Sequence, residues 1–442
     1  MDFLPGQPFS TIGPFEIFNL ALFILFTLCF SYQLLYVIVS LIRKPRHLTA
    51  KKNHRYAALI CARDESEVIL DIIKSIHMQN YPKELIDIYI VADNCTDNTA
   101  EVAQKAGATV FVRDNMELIG KGYALNYGFT AIEEKCGIDA YEAYFIFDAD
   151  NVLDENYFTE MNKAFDNGAP ACTSYRNAKN FDSNWISAGY GVWFLREARY
   201  LNQSRYILNT SCAVSGTGFY VSAELIKRNG GWNYHLLTED IEFSVDTIIG
   251  QERISYAPDA VIYDEQPFRF RDSWYQRLRW SRGIYQVLWN YGAKLFMGEF
   301  ANHKGYRFAC FDLLMTIAPA MLLMVTSLVV NLSVLVCNLV GILDATSFMG
   351  TAVWSLVYSF FFFGTFMYLL GALTVFTERR MILGAGWKKI AYTFTFPLFV
   401  LTYVPIAIAA LFKTPKWKPT RHTISVDVEE FGHYLSGDHE RP

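Results

Sequence analysis

The chain has 442 residues, 52% of them hydrophobic and 16% aromatic, with a formal net charge of −5. That length allows two or three domains, and the apolar share exceeds that of an ordinary soluble protein, so part of the chain belongs in lipid. The weak acidic balance gives no general attraction for nucleic acid, and eight cysteines without CxxC or CxxH spacing argue for a reduced, cytoplasmic catalytic region over a disulfide framework or zinc site.

Residues 17–42 carry no charge, which is long enough for a membrane-spanning helix. No Lys or Arg precedes this run, so it reads as an uncleaved anchor. The basic cluster Arg43, Lys44, Arg46, Lys51, Lys52 and Arg55 then holds its far flank in the cytoplasm. From residue 55 to about 264 the texture becomes that of a soluble α/β domain. Residues 56–62 and 86–92 read as buried parallel strands, and the helical spacing of Val68, Ile69, Ile72, Ile73 and Ile76 links them. Residues 109–112 and 143–147 supply two more strands. This alternation predicts a doubly wound, mostly parallel sheet whose ligand crevice lies at the carboxyl ends of the strands.

Acids fall at those ends: Asp64 and Glu65, Asp93, then Asp148 and Asp150. Hard Mg²⁺ or Mn²⁺ prefers such carboxylate oxygens, which makes Asp150, with Asp148, the candidate metal ligand. Lys121, between Gly120 and Gly122, is a candidate cation for a phosphate or base. Thr238-Glu239-Asp240 opens a further helix, where a carboxylate could serve as general base.

Past residue 264, Trp274, Leu278, Tyr285 and Trp289 form one stripe of an amphipathic helix, with Arg269, Arg271, Arg277, Arg279, Arg282 and Lys294 as its cationic positions. Such a helix lies in the membrane interface. Residues 185–206 make a second interfacial candidate. Runs 313–343 and 345–377 read as an outgoing and a returning span. The last run, 390–412, conflicts with the charge rule, because a simple span would send Lys413, Lys416, Lys418 and Arg421 outside. Pro397 and Pro405 break it, so a re-entrant hairpin or an interfacial segment is expected there.

Four blocks carry a resemblance: residues 62–67, residues 93–99, Phe147-Asp148-Ala149-Asp150-Asn151, and Thr238-Glu239-Asp240 with Gln276-Arg277-Leu278-Arg279-Trp280. Together they resemble the inverting family 2 glycosyltransferases of GT-A fold, in the membrane-integrated branch of cellulose, hyaluronan, chitin and poly-N-acetylglucosamine synthases. The resemblance implies an α/β GT-A catalytic domain combined with transmembrane and interfacial helices. It further implies Asp150 on Mg²⁺ or Mn²⁺, Asp240 as base, Arg279 on the donor diphosphate and Trp280 beside the acceptor. Glu239 is the weaker base candidate. Ala62, Arg63, Glu65, Asp93, Lys121, Asp148 and Gln276 fall to the donor, with Asp93 and Asp148 serving ribose or uracil, and Gly218 falls to the acceptor. Ser215-Gly216-Thr217-Gly218-Phe219 stands where cellulose synthases carry a Cys-Gly-Ser element, which weakens a reading as cellulose synthase.

The expected enzyme is an integral plasma-membrane polymerase, its catalytic domain cytoplasmic, extending a β-linked polysaccharide from a UDP-sugar into a transmembrane channel. UDP-glucose and a β-glucan are favoured over UDP-N-acetylglucosamine. The alternative is a single transfer to a lipid acceptor. Membrane lipid is expected as a partner and nucleic acid is not. The expected domains are an anchor (1–45), the catalytic domain (46–264), interfacial helices (265–305), membrane or re-entrant helices (306–412) and a cytoplasmic tail (413–442).

Overall fold

The computed structural model describes residues 13–300, 304–341, 346–415, 422, 424–426 and 428. The four expected strands form as β1 (Tyr56–Ala62), β2 (Ile86–Asp93), β3 (Thr109–Arg113) and β4 (Ala143–Asp148). β1, β2 and β4 are buried along most of their length, as parallel strands covered on both faces require. Helices α2 (Ile69–His77), α3 (Thr99–Lys105) and α4 (Lys121–Cys136) connect them, and β1 pairs in parallel with both β2 and β4. After β5 (Val152–Leu153) and α5 (Tyr157–Asp166) come β6 (Ala171–Ala178), α6 (Trp185–Arg196), α7 (Gln203–Ile207), β7 (Phe219–Ser222), α8 (Ala223–Arg228), α9 (Glu239–Ile249) and β8 (Ile254–Asp264). The sheet has eight strands in the order β3-β2-β1-β4-β7-β6-β8-β5, and β7 runs antiparallel to both its neighbours. Strand direction therefore changes beside β4, and a crevice opens there.

The stretch expected at residues 185–206 is helical, but it does not lie exposed in the interface. α6 passes through a π-helical segment, Glu197–Asn202, into α7, and most of its side chains are buried. The reason is composition: Gly189 and Gly191 leave no room for a Cβ against Phe399 and Phe181, so neighbouring elements close directly over the helix.

α10 (Phe270–Gly298) is the amphipathic helix that the arginine and aromatic pattern predicts. Its apolar stripe meets protein more than lipid. Leu278, Trp274 and Tyr285 pack against Ile406, Ala409 and Ala410, and only Trp289, 90% exposed, is left facing outward.

Among the described residues, three helical stretches are long and apolar enough to cross a membrane: Phe15–Ile42 in α1 (Pro14–Ile42), Val353–Thr377 in α13 (Thr346–Thr377), and Gly386–Phe412. The expected outgoing span 313–343 begins instead as α11 (Lys304–Ile317), which buries Leu313 and Ile317 against α9 and α10; α12 (Pro319–Leu339) starts at the proline. The segment 390–412 forms no hairpin. It is α14 (Gly386–Leu401) followed by α15 (Tyr403–Phe412), joined through Thr402 in a helical conformation. Its two ends meet the loop after β6 and helix α10. Lys388 Nζ donates to the Asp182 carbonyl at 3.0 Å near one end, and Arg282 Nη1 donates to the carbonyls of Ala410 and Leu411 at 3.3 and 3.4 Å near the other.

One buried ion pair ties the membrane helices to the catalytic domain. Arg205 Nε donates to Asp312 Oδ2 at 2.7 Å, and the hydroxyls of Tyr36 and Tyr32 donate to the same carboxylate at 2.8 and 2.9 Å. A carboxylate this buried is tolerated because every lone pair has a partner. Most of the expected tail, including Lys416, Lys418 and Arg421, lies outside the described residues. The part that is described is not a free tail: Val426 N–H donates to Asp71 Oδ2 at 3.0 Å and Ile424 N–H to Glu265 Oε2 at 2.9 Å, which docks this stretch on the sheet domain.

Candidate active site

A cavity of about 1570 Å³ lies at the carboxyl ends of β1, β2, β4, β6 and β8. It is lined by Ala62, Arg63, Glu65, Asp93, Lys121, Asp148, Asp150, Glu239, Asp240, Gln276, Arg279 and Trp280. Four sequence blocks separated by up to two hundred residues therefore converge on one space. Gly218 does not line it. It sits under the wall with φ +66°, and a Cβ there would come within 2.4 Å of Ile262; Gly216, two residues earlier, faces the cavity.

Local conformation explains how each side chain arrives. Asp64 and Asn94 follow β1 and β2 with φ of 56° and 53°, left-handed turns that short polar side chains accept. Asp93 is thereby held inside, ion-paired to Arg113 with both side chains 6% exposed. Lys121 begins α4 and is bound to Asp148, its Nζ also donating to the Gly216 carbonyl at 2.8 Å. The lysine expected to await a phosphate thus neutralises the first acid of the Asp-x-Asp pair. Asp148 is anchored in turn by its own N–H, which donates to Thr217 Oγ1 at 2.9 Å.

Asp150 accepts from Glu265 N–H at 2.8 Å, and His422 Nε2 stands 3.9 Å away. The other ring nitrogen, Nδ1, is 2.9 Å from Glu65 Oε1. Burial pushes the Asp150 carboxyl up, yet His422 and Lys179 outweigh that and leave it below its ordinary value. Glu65 is raised by burial to about 7, and His422, despite burial, is held up at about 10 by Asp150 and Glu65. Beside them Arg176 pairs with Asp264 and spreads over the Phe194 ring, 3.8 Å from its centroid.

Glu239 and Asp240 occupy the first turn of α9, whose positive end favours negative charge. Burial raises both; Glu239 reaches about 7, with Asp240 next to it as the second cause, while Lys121 pulls both back down. The loop before them is fixed by close packing. At Gly283 of α10 a Cβ would lie 2.6 Å from the Thr238 side chain, so only glycine lets α10 approach this turn. The two arginines of the Gln276–Trp280 block divide their work. Arg279 faces the cavity. Arg277 is fully buried, its Nη1 donating to Thr402 Oγ1 at 2.6 Å and to the Phe399 carbonyl at 3.2 Å. Trp280 meets Tyr190 edge-on at 5.7 Å and still borders the cavity.

Sequence reasoning missed His422, Arg176 and Asp264. Arg176 and Asp264 sit two register positions apart on the adjacent parallel strands β6 and β8, where Arg176 is level with Ile262, a proximity visible only once the sheet order is known. His422 stands in no motif, and its signal is the chain's return from α15.

Residues 54–283 match the model of a family described as Glycosyltransferase like family 2, and the chain belongs to that family. Among curated relatives, a poly-beta-1,6-N-acetyl-D-glucosamine synthase of Staphylococcus aureus (strain COL) is 27% identical over 235 residues, 52% of this chain and 54% of the relative. Beta-monoglucosyldiacylglycerol synthase of Synechocystis sp. is 23% identical over 235 residues, 53% of this chain and 48% of the relative. "Probable glycosyltransferase YdaM" of Bacillus subtilis is 24% identical over 254 residues, 56% and 59%. The chain spans about half the length of these relatives. A solved mannosyltransferase from Pyrobaculum calidifontis, in complex with GDP-Man and Mn²⁺, shares the fold: TM-score 0.52, 17% identity, 89% of this chain and 98% of that one.

Proposed function

We propose that this chain transfers a sugar, with inversion, from a UDP-sugar held at the strand ends to a hydroxyl acceptor that enters from the membrane side. The observation that carries the reading is the position of Asp240: a half-buried carboxylate in the same cavity as the Asp148–Asp150 pair, Arg279 and Trp280. Inversion needs one base and no enzyme nucleophile. Asp240 takes the acceptor proton, Arg279 meets the departing diphosphate, and Trp280 carries the acceptor's apolar face. Glu239 holds charge next to the base.

The donor set suits a hard divalent cation, Mg²⁺ or Mn²⁺. Asp148, Asp150 and Asp264 line the same cavity, and Asp264 Oδ1 is buried without a hydrogen-bond partner. Asp150, with Asp148, would hold the ion, which supplies charge stabilisation to the leaving diphosphate.

For the product, a β-linked polymer extended processively, with UDP-glucose as the favoured donor, is the first reading; the Gln276–Trp280 block and a relative named as a poly-beta-1,6-N-acetyl-D-glucosamine synthase support the polymer. A single transfer to a lipid is supported by the apolar lining of the cavity's membrane half and by a relative named for a glucosyldiacylglycerol. The catalytic domain is assigned to the cytoplasm from the basic cluster after α1. α14–α15 begins beside Asp182 and ends beside Arg282 of α10, which supports keeping Lys413 on that side too.

UDP release from UDP-glucose by protein in nanodiscs tests the reading. Wild type should release UDP with a divalent ion and an acceptor present, and Asp240→Asn should bind UDP normally but release almost none. Full turnover in that variant would remove Asp240 as the base.

A further inference from the structure

The cavity continues past Asp240 between α1, α12 and α13, where Phe23, Phe26 and Phe30 of α1 and Phe362, Phe366 and Leu370 of α13 line it. On α1 its lining runs from Asn19 to Val37, about 27 Å of helix at 1.5 Å per residue. That is close to a hydrocarbon thickness of about 30 Å. Among the described residues, no Asp, Glu, Lys or Arg of these three helices lines it. α1 and α13 touch through Phe23 and Phe362, edge to face at 5.9 Å.

This lining discriminates between passengers. A polysaccharide would press hydroxyl after hydroxyl against phenyl and alkyl groups, and each one left unpaired carries a desolvation penalty. The polar side chains of these helices on the lining, Asn19, Gln33, Ser327, Ser355, Tyr358 and Ser359, are too few to pair a chain of hydroxyls. A lipid tail exchanges one apolar surrounding for another and enters at little cost.

The threshold between the groove and the carboxylates adds a second observation. Arg196 lines it there; its Nη2 donates to Gln33 Oε1 at 3.1 Å and its guanidinium lies 5.0 Å from the Trp193 ring centroid. The carboxylate that bears on it is that of its neighbour Glu197, which also lines the cavity. A cation at a polar–apolar boundary with an aromatic ring behind it suits a phosphate group.

We propose that the acceptor is an anionic lipid: its hydroxyl faces Asp240 and Trp280, its phosphate meets Arg196, and its tail lies in the phenylalanine groove. The proposal rests on the transfer reading above. In the step, the lipid hydroxyl oxygen bonds to the anomeric carbon as the bond from that carbon to the diphosphate oxygen breaks. The hydroxyl proton passes to Asp240 and UDP leaves.

Full-length protein in phosphatidylcholine nanodiscs, given labelled UDP-glucose or UDP-N-acetylglucosamine with Mg²⁺ or Mn²⁺, tests this. One set of discs carries phosphatidylglycerol, one a polyprenyl-diphosphate-linked saccharide, and one neutral diacylglycerol. Label should enter the organic extract with one of the two anionic lipids, which also separates the two sources. For that lipid, Arg196→Gln should raise KM at least about tenfold with kcat largely kept, as loss of one charge-assisted contact predicts. Phe26→Trp with Phe366→Trp, which fills the groove with apolar rings, should raise it as well. A water-soluble polymer made in discs of phosphatidylcholine alone, or label only in diacylglycerol, would overturn the proposal while leaving the transfer reading intact. No UDP release under any condition would bring down the transfer reading itself.

Discussion

The donor half of the cavity and its membrane half are built on opposite terms. At the strand ends charge is dense and paired: Lys121 with Asp148, Arg113 with Asp93, Arg176 with Asp264, His422 with Glu65. Between α1 and α13 the same cavity has phenylalanine and leucine and no charge. Preorganised charge fits a nucleotide diphosphate, whose developing negative charge it stabilises without reorganisation; an apolar groove fits a molecule already dissolved in the bilayer. The proposed reaction centre lies where the two meet, at Asp240 and Trp280.

Substitutions can break each side of this contrast separately. The largest effect is expected at Asp240→Asn, which should lower kcat by roughly 10²–10⁴, the usual contribution of a positioned base, with UDP affinity little changed in a binding titration. Comparable loss of UDP binding would mean that Asp240 belongs to the donor half. Asp150→Asn should abolish divalent-dependent turnover in a folded, membrane-inserted protein; full wild-type activity in EDTA would exclude the metal role.

Next in size is the join between the halves. Asp312→Ala leaves Arg205 buried without its partner and should destabilise the protein by about 3–5 kcal/mol, read as a fall in thermal stability in detergent. Asp312→Asn, which keeps the shape, should lose less. A smaller effect is expected at the tail. The His422 cation sits 3.9 Å from Asp150, so His422→Ala should lower the Mn²⁺ concentration needed for half-saturation in a direct binding measurement. A rise would show that the histidine helps to hold the donor site together.

The pH profile is the mildest probe. Burial raises Asp240, and a base must be deprotonated to act, so kcat should fall on acidification with a midpoint above the ordinary aspartate value of about 3.9. A midpoint at or below that value would disconnect the acid limb from Asp240.

How far the sequence was readable follows the same divide. Strands β1 to β4 were legible because two-sided burial writes itself as short apolar and β-branched runs, and acids at their ends then had to share one edge. Asp148, Asp150, Glu239, Asp240, Arg279 and Trp280 all line the one cavity. Gly218 did not, because a glycine pair says only that backbone is close, and it was Gly216 that reached the cavity. Arg277 and Arg279 looked alike in the motif; which one turns inward depends on the packing of α14 against α10. The stripe Trp274, Leu278 and Tyr285 was read correctly as apolar but assigned to lipid, since periodicity cannot tell lipid from a neighbouring helix. His422 was invisible because its contacts with Glu65 span 357 positions.

The stereochemistry of the product tests the central claim most directly. If Asp240 activates a hydroxyl for a single displacement, the glycoside formed from a UDP-α-sugar must be the β-anomer, as proton NMR of the isolated product will report; an α-linked product would contradict the inverting mechanism and the role given to Asp240.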